Sequence, residues 1–281
     1  MKLCKMLVLV VAFNAVACQA ASEYTHAVIA ELWFRTVGNN YTKAEKQSFM
    51  LGTLFPDARY LDPVHMTKER THDRRWAIPI EDVYNAATPF EVGFKLHSWV
   101  DLIFRLEEKK KPNDMVGYVS NVLKAMGYDF GIYADTVFKL TLDQIFYQSE
   151  MVSKMVDCKG SLAMLDDVDA GEKAFTSETV IRTWHTILGY YFTGGVNVML
   201  AAGVGVAGQT RETLSTWSKL VVTLADDPKI VAYAMWLLDH AGKEFTKAAE
   251  SKESKAAAKT TLRTALEGNE KILSLVADYV V

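Results

Sequence analysis

His97 and Asp101, in the stretch "KLHSWVD" (95–101), stand four residues apart in an otherwise apolar segment. On a helix that spacing projects both side chains from one face, one turn apart, where they can reach a single cation. The same spacing also suits a plain hydrogen-bonded pair on a helix surface. Upstream, "FMLGTLFPDARYLDPVHMTKERTH" (49–72) adds two more donors. Asp57 follows Pro56 just past an apolar helical stretch containing Gly52, so a turn rather than helical periodicity places its carboxylate. His72 comes fifteen residues later, in a segment too rich in Asp, Arg and Pro for a regular core element. Taken singly, Asp57 reads as a turn-capping aspartate and His72 as a loop histidine. Taken with "HSWVD", they form a set of imidazoles and carboxylates, the nitrogen and oxygen donors that zinc prefers. His65 and Glu69, also four apart, fall in the loop leading to His72 and rank as outer-sphere or substrate-side candidates.

The elements that must carry these residues read as helices. Six prolines in 281 residues, and apolar positions recurring at i, i+3, i+4 and i+7, predict an all-α fold with helices near 23–37, 43–54, 90–109, 113–127, 131–156, 177–200, 209–225, 227–249 and 252–280. Alternating strand patterns and internal repeats are absent. With 50% hydrophobic residues the chain can bury a sizeable core, and we expect one multi-helix domain over 21–281 with the donor motifs inside 23–105. The segment "TILGYYFTGGVNVMLAAGVGVAGQT" (186–210) carries no charge, and its length would suffice for a bilayer span. Asn197, the glycines and its modest hydrophobicity favour a buried helix followed by a Gly-rich turn or second short helix over a transmembrane span, with a lipid-facing surface as a further alternative.

The first twenty residues, "MKLCKMLVLVVAFNAVACQA", have Lys2 and Lys5, then an apolar run, then small residues. That three-part pattern predicts an export signal over 1–20 and an exported mature chain. Cleavage before Cys18 would leave a cysteine for lipid attachment. Only Cys4, Cys18 and Cys158 occur, so no disulfide framework supports the domain, which must hold together by packing, with help from metal left open. The 31 basic and 34 acidic side chains nearly cancel, which disfavours a stable nucleic-acid complex.

The order "TH" (25–26), "LGTLFPD" (51–57), "TH" (71–72) and "HSWVD" (97–101) resembles the bacterial zinc-dependent phospholipases C and the related single-strand-specific zinc nucleases, over about residues 23–105. The resemblance implies a mostly helical, exported domain that holds one to three zinc ions and hydrolyses phosphate esters. It implies Asp57, His72, His97 and Asp101 as ligands of one zinc, and His26, together with the mature amino terminus, as ligand of another. Asp57 is the implied general base, and its turn position permits that role. Downstream the pattern departs from the family. A histidine is expected six residues beyond Asp101, where this chain has Glu107, an oxygen donor, and no histidine occurs between 108 and 184. His240 and Glu244 have the spacing of the family's later pair, but they arrive late and also read as a surface pair. His185, beside Trp184, reads equally as a core histidine or a late ligand.

Two histidines and two aspartates leave a zinc complex nearly neutral, able to lower the pKa of bound water and to neutralise a phosphoryl oxygen. The expected function is therefore exported, phospholipase C-like hydrolysis of a phosphodiester by metal-activated water, with a phospholipid among the candidate substrates. The alternative is a non-catalytic helical envelope protein with a structural metal site or none. Membrane-surface contact stays open through 186–210 or through a lipid on Cys18.

Overall fold

A computed structural model describes residues 23–37, 40–72, 80–107, 114–153, 163–201 and 210–266. The protein is all-α, with no strand among the described residues. The expected signal (1–20), Cys18 and Cys158 lie outside the described residues. The long helices are α1 (Glu23–Thr36), α2 (Lys43–Leu54), α5 (Pro89–Glu107), α6 (Met115–Ala125), α7 (Ala134–Gln148), α10 (Glu178–Ala201), α11 (Arg211–Ala225) and α12 (Pro228–Leu266). Short helices α3 (Lys68–Thr71), α4 (Ile80–Tyr84), α8 (Glu150–Ser153) and α9 (Ala170–Lys173), and a 3-10 turn at Phe55–Tyr60, fill the connections.

Side-chain caps start several of these helices. Thr42 and Glu45 form a reciprocal capping box on α2, Thr88 and Glu91 do the same ahead of α5, and Asp114 and Thr210 cap α6 and α11. The apolar faces meet in one core, where Trp33, Trp184, Trp217, Phe49, Phe138 and Phe245 are fully buried. α7 runs through its middle, against α1, α6, α10, α11 and α12.

Two features of this packing bear on the donor residues. First, α2 and α5 approach closely because both present glycine at the crossing. A methyl group on Gly52 would stand 2.1 Å from the Phe90 carbonyl oxygen, and one on Gly93 2.0 Å from that of Phe49. Second, Asp143 of α7 caps the amino end of α1 from 118 residues away, accepting the Thr25 amide at 2.9 Å and the Tyr24 amide at 3.3 Å. The hydroxyls of Thr25 and Tyr191 donate to the same carboxylate. Burial outweighs these hydrogen bonds and leaves the Asp143 pKa raised.

Several helix boundaries differ from the sequence expectation. The helix expected at 131–156 stops at Gln148, because Ser149 takes an extended conformation (ψ 118°). Those expected at 227–249 and 252–280 are one helix as far as Leu266, since the intervening "ESKES" contains no helix breaker. The uncharged segment begins in α10, which kinks at Gly195 (φ 65°), a left-handed conformation that glycine adopts without strain. Tyr191, Phe192, Val196 and Leu200 of α10 are buried in the core. No described helix is long and apolar enough to cross a membrane, and residues 202–209 lie outside the described set.

Candidate metal centre

Four elements converge on one buried cluster. α1 brings His26, the 3-10 turn brings Asp57, the end of α3 brings His72, and α5 brings His97 and Asp101. The turn follows α2 directly, with Pro56 in its first positions, and is tethered where the Trp184 indole N–H donates to the Leu54 carbonyl at 3.1 Å. His72 leaves α3 in an extended conformation (φ −129°), which carries its side chain off the helix and into the cluster.

The tautomers follow from the fixed partners. His97 Nδ1 lies 2.9 Å from the Thr53 carbonyl oxygen, which can only accept, so Nδ1 carries the proton and Nε2 is bare. Thr71 donates its hydroxyl to the Thr67 carbonyl at 3.0 Å, so at 2.9 Å it accepts from His72 Nδ1, and that Nε2 is bare too. The two bare nitrogens face each other at 3.2 Å. Two lone pairs at that separation repel unless a cation lies between them.

The carboxylates complete the pattern. Asp57 and Asp101 each place an oxygen 3.5 Å from His72 Nε2, and Asp57 places its other oxygen 3.8 Å from His97 Nε2. Asp101 turns its second oxygen to His26 Nε2 at 3.7 Å. These separations are long for hydrogen bonds. They approach the donor–donor edges of a tetrahedron with metal bonds of about 2.0–2.2 Å, which measure roughly 3.3–3.6 Å. His26 also stacks on His97 with ring centroids 3.9 Å apart. Two groups, Asp57–His72–His97 and His26–His97–Asp101, thus have donor atoms close enough to hold a metal ion.

Charge states fit that use. Burial and the neighbouring His26 lower the His97 pKa to about 3, so its imidazole is neutral at neutral pH. Burial works to raise the Asp57 pKa, but His72 and His97 outweigh it and bring it down to about 2. Asp101, under similar opposing influences from burial and the histidines, lies well below the usual carboxylate range. A neutral imidazole at His97 beside ionised carboxylates at Asp57 and Asp101 is the combination of ligand forms that a divalent metal requires. Most of the cluster is buried, but the Asp101 side chain keeps 29% of its surface exposed and opens it to solvent.

The structure therefore brings together His26, Asp57, His72, His97 and Asp101. It places the later donors elsewhere. His185 directs Nε2 to Glu172 at 2.7 Å and Nδ1 to the Leu165 carbonyl at 3.0 Å, so neither nitrogen is open to a metal. His240 stacks on Trp236 in α12, and Glu244 pairs with Lys247. Neither belongs to the groups above. Glu107 is the last residue of α5, and its side chain lies outside the described set. His65 is exposed and bonds Asp62 at 2.9 Å within its own loop.

Two residues come from the structure alone. Arg59 reaches within 3.8 Å of Asp57 and lays its guanidinium over the Tyr60 ring, 4.1 Å from the centroid. Glu23 is fully buried beside the cluster, and burial with the nearby Asp57, Asp143 and Asp101 raises its pKa well above normal. Its place one turn before His26 on α1 is the sequence signal that could have found it. No family model, curated protein or solved structure matches the chain.

Proposed function

We propose that this protein is a zinc-dependent phosphoesterase, hydrolysing a phosphodiester in the manner of the phospholipases C that its amino-terminal motifs resemble. Asp57, His72, His97 and Asp101 would hold the zinc. The observation that carries this reading is the pair of bare imidazole nitrogens 3.2 Å apart, flanked by two carboxylates at polyhedral-edge distances. When bound, zinc would acidify a water and withdraw charge from a phosphoryl oxygen.

The chain's own residues supply the rest. Thr53 and Thr71 fix the two imidazole rings through their Nδ1 protons. Asp57, ionised and wedged between His72, His97 and Arg59, is positioned to take a proton from the attacking water. Arg59 offers a fixed positive charge within reach of the same carboxylate, suited to an anionic phosphoryl group. Glu23 aside, two carboxylates, one guanidinium and one divalent ion leave a net positive charge, which favours an anionic substrate. The exposed part of Asp101 gives the buried cluster a face to solvent, the side from which water and substrate would approach. Export rests on the pattern of residues 1–20.

The test is turnover of a chromogenic phosphodiester by the purified chain after chelation and after zinc is restored. Zinc-restored hydrolysis is expected. Absence of hydrolysis in a chain that retains zinc would favour the structural-metal alternative.

A further inference from the structure

The elements that carry Asp57, His72 and His97 share a neighbour that supplies no donor atom to the cluster. It is the strap of residues 169–176, made of α9 and the turn after it. A reciprocal capping box between Asp169 and Glu172 closes the start of α9. The amides of Phe175 and Thr176 both donate to the Glu172 carbonyl, at 3.0 and 3.4 Å, so the two side chains leave a fixed backbone. The Phe175 ring stacks on Phe94, with centroids 5.0 Å apart, and meets Phe55 edge-on at 5.8 Å. The Arg70 guanidinium lies over the same ring, 5.3 Å from its centroid. Phe55 stands two residues before Asp57, Arg70 two before His72 and Phe94 three before His97. One half-buried ring therefore touches the chain beside each of three donors.

Thr176 adds the polar contact. Its hydroxyl donates to Oδ2 of Asp62. Oδ1 of Asp62 accepts the His65 amide at 3.2 Å and lies 2.9 Å from His65 Nδ1. The Arg70 guanidinium in turn donates to the His65 carbonyl. These tethers matter because α3 is a single turn, and a helix that short does not stand by itself in water. His72 leaves α3 in an extended conformation, so the place of its Nε2 depends on how firmly 62–70 is tied down.

Resting on the zinc centre proposed above, we infer that Phe175 and Thr176 are positioning residues for it: the strap sets the mutual spacing of Asp57, His72 and His97 while giving the ion no donor of its own. A site whose supporting side chains let a ligand drift by about 1 Å is present but too loose to work.

The test uses the whole chain. Zinc affinity is read by competition with a chromogenic chelator, and ligand geometry from the visible absorption of the cobalt-loaded protein. Phe175→Ala and Thr176→Val should each weaken zinc binding by about 10-fold or more, the range common for outer-sphere supports, and shift the cobalt bands. Thr176→Ser, which restores the hydroxyl, should return both to wild-type values. Tyr118→Phe deletes a hydroxyl bonded to Asp227 at 2.9 Å, outside the cluster, and should change neither. Circular dichroism reports the fold of each. Because Phe175→Ala and Thr176→Val remove different contacts, either one, folded, decides the matter. Wild-type affinity and cobalt bands in a folded Phe175→Ala or Thr176→Val would overturn the assignment, as would an equal loss in Tyr118→Phe. A wild type that holds neither zinc nor cobalt would overturn the proposed function, and the role of the strap with it.

Discussion

His97 and His185 are both buried on long helices and both lie near carboxylates, yet their nitrogens are used differently. His185 spends both nitrogens on hydrogen bonds, at 2.7 Å to Glu172 and 3.0 Å to the Leu165 carbonyl. His97 spends one on the Thr53 carbonyl and leaves the other facing His72 Nε2 at 3.2 Å, with carboxylates 3.5 Å from that nitrogen of His72. The first arrangement is complete as it stands and ties α9 to α10. The second has its donor atoms close enough together to hold a cation. The difference teaches that a buried histidine near an acid is read as a ligand or a strut by counting the partners of each ring nitrogen, not by its proximity to the acid.

The largest stability change expected outside the cluster is at the strut. His185→Ala leaves Glu172 buried and short of a partner, so thermal or denaturant unfolding should show a loss of about 3–5 kcal/mol, while zinc content stays unchanged. A fall in zinc stoichiometry without loss of stability would reverse the two roles.

At the cluster, Asp57→Asn keeps the size of the side chain but removes its charge and basicity. Phosphodiester turnover should fall at least ~10²-fold, as is common when a general base is lost. Asp239→Asn, an exposed carboxylate paired with Lys243, is the control and should retain full activity. Turnover by Asp57→Asn equal to the control would remove Asp57 from the chemistry.

A subtler difference is expected in pH dependence. The folded chain holds the His97 pKa at about 3, below its ordinary 6.5, so the unfolded chain binds that proton more readily. The stability His97 contributes is therefore present above about pH 6.5 and lost as pH falls toward 3. Melting temperatures of chelated protein should decline across that window, and His97→Gln should flatten the decline by about one proton's worth of slope. An unchanged slope in the variant would contradict the buried neutral state. Smallest of all, His240→Ala, on a ring stacked against Trp236 and away from the cluster, should shift stability by no more than about 0.5 kcal/mol and leave zinc content unaltered.

The legibility of these features in the sequence follows from how local their causes are. The all-α fold and most long helices could be read from periodicity and caps, and the end of the 131–156 stretch at Gln148 could not, because its apolar pattern continues past the break. His97 and Asp101 were visible because helical spacing fixes their shared face, and "LGTLFPD" because proline forces a turn after α2. His185 stayed ambiguous because the second partner that saturates it, Glu172, comes from a capping box 13 residues upstream. Glu23 shares a helix face with His26, but its setting could not be read from that spacing, since the end of α1 that carries it is held by Asp143, more than a hundred residues away. Contacts over that range leave no periodic trace.

The most direct measurement is the zinc stoichiometry of purified wild type beside His97→Ala and His185→Ala, each after brief dialysis against a weak chelator. At least one zinc per chain is expected in wild type and in His185→Ala, and a clear loss in His97→Ala, because removing one of four ligands weakens a site whose binding energy also supports the fold. Full zinc occupancy in His97→Ala, or no zinc in wild type, would contradict the metal centre.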